Sequence, residues 1–184
     1  MNRSTERYFA ATLFVTILLF ACNAGAQSNN RTYGQWTVGV QNNNAGFYAS
    51  TVNDSGLAFG EYCNFKSKSC FWLVAADSAC DNGHKYPTLG NTDQGAAGLV
   101  LICNGKLEGV DAYVYTFTDW KELESLVKKS VRFGLAVPMQ GDQFKVWRFS
   151  LDGMTPALAD MEAAFFRFVG PNNAAPQGTA TTNL

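Results

Sequence analysis

Apolar residues in this chain come in runs of strand length, many alternating with polar ones, with turn formers between them. That period constrains the fold more than any other feature. It is cleanest in "VRFGLAV", where Val131, Phe133, Leu135 and Val137 share one side and Pro138 ends the run. "QWTVGV", "FYASTV", "LAFGEYC" and "CFWLVAA" precede it, with "NNNAG" and "NDSG" as turn clusters. "LVLIC" leads through "NGKLEG" to "DAYVYTF", in which Tyr113, Tyr115 and Phe117 share a side and both faces are partly apolar. In "QFKVWRFSL", Trp147, Phe149 and Leu151 face one way and Phe144 and Val146 the other. The stretch 77–98, rich in Asp, Asn and Gly, reads as a long loop.

The period changes twice. "DWKELESLVKK" begins at Asp119 with Glu122 three residues on, a capping-box pattern. Trp120, Leu123, Leu126 and Val127 line one face of this helix, and Lys128 and Lys129 close its last turn. Thr155 and Pro156 open a second helix, with Pro at its first position. Its stripe of Leu158, Met161, Phe165 and Phe168 needs a surface to cover. About eight short strands without alternating helices predict a mainly β fold with a minor α+β character: an antiparallel β-sandwich or a curled sheet with two short helices. Aromatic residues are abundant, and their alternating positions assign most of them to packing rather than to a binding platform.

The N-terminus points to export. Arg3 and Arg7 precede "YFAATLFVTILLFA", an apolar run shorter than the roughly 18–20 residues of a membrane-spanning helix. Ala24-Gly25-Ala26 follows as a cleavage site, giving a signal peptide over 1–26, one β-rich domain over 27–169 and a disordered tail over 170–184. Leu19-Phe20-Ala21-Cys22 also resembles a bacterial lipobox, so lipidation at Cys22 would make an anchored outer-membrane lipoprotein, the one route to a membrane. Either route leaves Cys63, Cys70, Cys80 and Cys103, an even set in an oxidising compartment, and hence a disulfide-stabilised fold. Three pairings are open. Cys63–Cys70 and Cys80–Cys103 is favoured, because "EYCNFKSKSCFWLV" reads as two strands around a polar loop. The formal net charge of −1 gives no electrostatic reason to expect nucleic acid.

Few residues offer chemistry. His84 is the only histidine, within "CDNGHKYPTLGN". With Asp77, Asp81 or Asp93 and Ser78 it has the residue types of a hydrolase built on 77–95, but no nucleophile elbow accompanies them. The same loop has the composition of a calcium site without its order of ligands. The cysteine spacing does not fit zinc. Among carboxylates, Glu61, Asp111, Glu122 and Glu124 have no separation that one dimension can fix. Asp81, His84 and Tyr86 therefore stand as candidate binding residues, with no catalytic residue, metal or cofactor assigned.

"YGQWTV" and "VRFGLAVPMQGDQFKVWRFSLDGMTPALADM" resemble the invasion-associated locus B family of exported bacterial proteins, through Gly34, Trp36, Leu151, Gly153 and Ala157. Where that family carries a cysteine soon after the tryptophan this chain has Val40, and Cys63 and Cys70 are spaced more widely than its later cysteine pair. The resemblance implies a periplasmic or secreted β-rich protein of the envelope or of host-cell interaction, with no catalytic residues to carry over. The expected function is non-enzymatic binding of a protein or glycan partner at the envelope or outside the cell. A small secreted or periplasmic hydrolase and a lipid-anchored structural envelope protein are the alternatives.

Overall fold

The alternating runs pair with one another into a single antiparallel sheet. The computed structural model describes residues 30–41, 44–139 and 143–170; the expected signal peptide over 1–26, Cys22 and the expected tail beyond Gly170 lie outside these. The strands are β1 (Arg31–Tyr33), β2 (Trp36–Val40), β3 (Gly46–Val52), β4 (Ala58–Asn64), β5 (Ser69–Ala76), β6 (Lys85–Thr92), β7 (Gly95–Lys106), β8 (Tyr113–Phe117), β9 (Arg132–Pro138) and β10 (Phe144–Ser150). Helix α1 (Trp120–Val127) joins β8 to β9, and α2 (Met154–Val169) follows β10. The spatial order is β1-β2-β3-β4-β5-β8-β7-β6-β9-β10, so β1 and β10 are its edges.

The sheet curls until strands distant in that order face each other. The Phe59 ring on β4 lies 4.9 Å from Phe133 on β9 and 5.3 Å from Phe149 on β10. Trp36 Nε1 donates to the Ser150 carbonyl at 2.9 Å, and Asn53 Nδ2 to the Arg148 carbonyl at 3.2 Å, tying the two ends together by side chains without closing a barrel. Of the two architectures the alternation allowed, the curled sheet is the one formed. A single interior holds Trp36, Trp72, Trp147, Tyr115 and the inward Phe residues. Tyr115 and Phe117 are buried within it, so the inward face of β8 is covered by core.

Both helices lie on the concave side. In α1, Asp119 accepts the Glu122 N–H at 3.0 Å, and Leu123 and Val127 are buried. Gly90 on β6 has no side chain at the point where Leu126, Leu99 and Phe133 converge; a Cβ there would sit 2.7–3.2 Å from all three. Helix α2 buries Met154, Ala157, Met161, Phe165 and Val169 over β1–β4.

Five local expectations need correction. Phe168, placed on the covered stripe of α2, is largely exposed. The stretch 77–98 is not a long loop, because β6 and the start of β7 form a hairpin inside it; its Asp, Asn and Gly were read as turn residues, yet here cross-strand pairing overrides propensity. Val131 lies outside β9 and is exposed. Pro156 is the third residue of α2, since the helix starts at Met154 after Gly153; the first-turn N–H groups have no intrahelical partner, so Pro costs nothing there. Helix α1 ends at Val127, with Lys128 as its cap. No helix among the described residues is long and apolar enough to cross a membrane.

Candidate functional site

The cysteines pair as expected. Cys63 and Cys70 are directly opposed on β4 and β5 and are bridged, and Cys80 is bridged to Cys103 on β7. The second bridge anchors the turn that carries His84. Gly83 N–H donates to the Cys103 carbonyl at 2.8 Å, Cys103 N–H to the His84 carbonyl at 3.0 Å, and His84 N–H to the Asp81 carbonyl at 3.0 Å. The turn is therefore short and held at its base.

Its side chains face water. His84 Nδ1 lies 3.4 Å from an Asp81 carboxylate oxygen, with the two side chains 70% and 82% exposed. Solvent screening leaves such a pair little energy. Tyr86 turns inward, packs edge-on to Tyr115 and accepts the Asp81 N–H at 3.0 Å. The other residues of the hydrolase reading are dispersed. Asp77 pairs with Lys145 at 2.7 Å, and Asp93 accepts the Val131 N–H at 2.9 Å from the far end of β6. Ser78 is buried, and its carbonyl accepts the Tyr115 hydroxyl at 2.8 Å. The calcium reading fails to converge in the same way. Of the glycosidase carboxylates, Asp111 is exposed and paired with Lys106 at 2.8 Å, while Glu61 is inside.

Glu61, weighed in the sequence only as one of four carboxylates without a fixed separation, is the one the fold buries. It is 2% exposed and faces inward between Phe59 and Cys63, opposite Ala49 on β3 and Trp72 on β5. Burial pushes its carboxyl up to about 8, with repulsion from Glu162 on α2 and Glu124 on α1 adding to the effect. Glu162 is itself raised, by burial and by Glu124, against the opposing charge of Lys128. A carboxyl on the apolar phase of "LAFGEYC" was the available signal: Phe59, Glu61 and Cys63 alternate on one side. Among the described residues, Glu61, Cys63 and Cys70 are the single grouping with metal-ligand spacing, but the two sulfurs are bonded to each other.

The outer face carries two apolar features. On β3–β5, Tyr48 stacks on Tyr62 at 5.8 Å and Tyr62 on Phe71 at 6.4 Å. The three rings are engaged with one another across the strands, and Tyr48 and Tyr62 are only partly exposed. The second feature spans β7, β6, β9 and β10. Gly98, Leu89, Ala136 and Val146 form one outward row across the four strands. Pro87, Pro138 and Phe144 flank it, and Phe144 is 69% exposed. The row itself carries no charge; Arg148 is two residues beyond Val146 on the same face of β10.

The row ends on an open edge. Met139 N–H donates to the Gln143 carbonyl and Leu151 N–H to the Val131 carbonyl, so odd-numbered residues of β10 bond to β9. The backbone groups of Phe144, Val146, Arg148 and Ser150 then point to the free side. Trp36 and Asn53 occupy the carbonyls of Ser150 and Arg148. Among the described residues, Phe144 and Val146 keep a free strand edge beside exposed apolar side chains, the arrangement that accepts an added strand.

No known family and no curated protein matches the sequence. Among solved structures, the fold is similar to the crystal structure of invasion associated protein B from Bartonella henselae, with a TM-score of 0.53 and 16% sequence identity over 73% of this chain and 96% of that one. At that identity the similarity concerns the fold, and in fold this chain resembles the invasion-associated protein B structure.

Proposed function

We propose that this is an exported, non-enzymatic binding protein of the bacterial envelope or extracellular space, which takes an extended segment of a protein partner along the free edge of β10. The observation that carries the reading is the open edge at Phe144 and Val146, continuous with the uncharged row of Val146, Ala136 and Leu89. Edge pairing supplies backbone hydrogen bonds, and the outward side chains supply apolar contact. A protein is favoured over a glycan because Trp36, Trp72 and Trp147 are buried and the outer tyrosines stack on each other. The two disulfides and the likeness in fold to an invasion-associated protein support an oxidising compartment outside the cytoplasm.

The test is capture of partners from an envelope extract with the oxidised protein and three variants. Val146→Pro removes the N–H on the free side without touching the ladder to β9, and Phe144→Asp charges the flank. Both lose the bound partner, while His84→Ala keeps it. Retention by Val146→Pro and Phe144→Asp with loss in His84→Ala would move the contact to Asp81, His84 and Tyr86.

A further inference from the structure

A second cluster lies on the concave side, away from that edge. A carboxylate oxygen of Glu61 and the sulfurs of Cys63 and Cys70 all lie within 4.8 Å of one another. The strands impose this: Glu61 and Cys63 are two apart on one face of β4, and Cys70 faces Cys63 from β5. Two hydrogen bonds through one water span about that distance, within the reach of proton transfer.

The two sulfurs differ in access. Cys63 is fully buried, with Met161 Sδ 3.2 Å from its sulfur. Cys70 is half-buried at the foot of a hairpin whose loop carries exposed Lys66 and Lys68. A thiolate arriving from solvent therefore meets Cys70, and Cys63 is the leaving sulfur. A bare thiolate in an apolar interior is unfavourable, and a neutral acid beside it supplies the proton that relieves it.

We propose that Cys63–Cys70 is a redox-active disulfide, opened by an external thiol at Cys70, with Glu61 as the proton donor to Cys63. In the first step a thiolate RS⁻ bonds to the Cys70 sulfur as the Cys63–Cys70 bond breaks. The released electron pair resides on Cys63, which takes the Glu61 proton, leaving a thiol and a carboxylate. A second RS⁻ attacks the external sulfur of the mixed disulfide, releasing RSSR and the Cys70 thiolate. Cys70 and Glu61 then recover protons from water. Two thiols are oxidised to one disulfide as the protein bridge accepts two electrons. In reverse, the Glu61 carboxylate takes the Cys63 proton and makes that sulfur the nucleophile.

Glu61 is suited to the role because burial, Glu162 and Glu124 keep it protonated across neutral pH. The flanking strands place Ala49 and Trp72 opposite it and add no charge; Lys128 is the cation acting on Glu162. The other bridge is an internal control. Cys80 is half-buried and Cys103 buried, as in the first pair, but among the described residues no carboxylate joins their sulfurs in a like cluster.

The experiment treats the oxidised full-length protein with glutathione from pH 7 to 9, quenches by alkylation and maps the peptides. The mixed disulfide is expected on Cys70, with Cys63–Cys70 opening at least about tenfold faster than Cys80–Cys103. Expressed per thiolate, the rate falls about tenfold over that range in the wild type and stays flat in Glu61→Gln. An adduct on Cys63, earlier opening of Cys80–Cys103, or the same profile in both proteins overturns the proposal. If Glu61→Gln does not fold, a flat wild-type profile overturns it alone, and a tenfold fall with the adduct on Cys70 upholds it.

Discussion

Glu61→Gln is expected to stabilise the protein above neutral pH while leaving it nearly unchanged in mild acid. The Glu61 carboxyl titrates at an ordinary 4.5 when unfolded and at about 8 when folded. Between those values the folded chain holds a proton that the unfolded chain has released. Stability therefore falls as pH rises, by roughly 1.4 kcal/mol per pH unit, and levels off above the folded value. Across the whole window the loss approaches roughly 4–5 kcal/mol, a large part of the 5–15 kcal/mol typical of a domain. Glutamine has the same shape and no charge to desolvate, so its curve lacks this slope. The assay is urea unfolding of the oxidised proteins at several pH values from 5 to 9, followed by fluorescence of the buried Trp36, Trp72 and Trp147. The two proteins should agree within about 1 kcal/mol at pH 5, and the variant should lead by about 3–5 kcal/mol at pH 8.5. Glu162 shares the sign of the effect and remains in both proteins, so the difference between curves isolates Glu61. Parallel curves, or a wild type that gains stability with pH, would refute the argument.

Replacing Cys80 and Cys103 together by serine should cost roughly 3.4 kcal/mol, and replacing Cys63 and Cys70 roughly 2.5 kcal/mol, because Cys80–Cys103 closes the longer loop; urea midpoints of the two double variants give the order directly. Gly153 enters α2 at φ +86°, and a Cβ there would strike the Tyr33 carbonyl, so Gly153→Ala should lower stability by at least about 1–3 kcal/mol. Gly98→Ala, with open space above it, should shift the melting temperature little by comparison.

The residues themselves determined the class of fold and its covalent frame. Period-two alternation put Phe133, Leu135, Val137, Trp147 and Phe149 on the core side, and the Asp119 cap with the α1 face was readable because capping and helical spacing act over four residues. The pairing of Cys63 with Cys70 was likewise local, since a hairpin brings its two ends together. Tertiary structure decided the rest. Whether 77–98 formed strands depended on β7 and β9 as pairing partners, distant information that overrides its turn-like composition. Curling of the sheet brought β4 against β9 and β10, and the inward face of β4 with Glu162 of α2 and Glu124 of α1 nearby made Glu61 a buried acid rather than one more surface carboxylate. The same open curl left β10 as an edge, because a local pattern states which way a side chain points but not which neighbour its backbone will find.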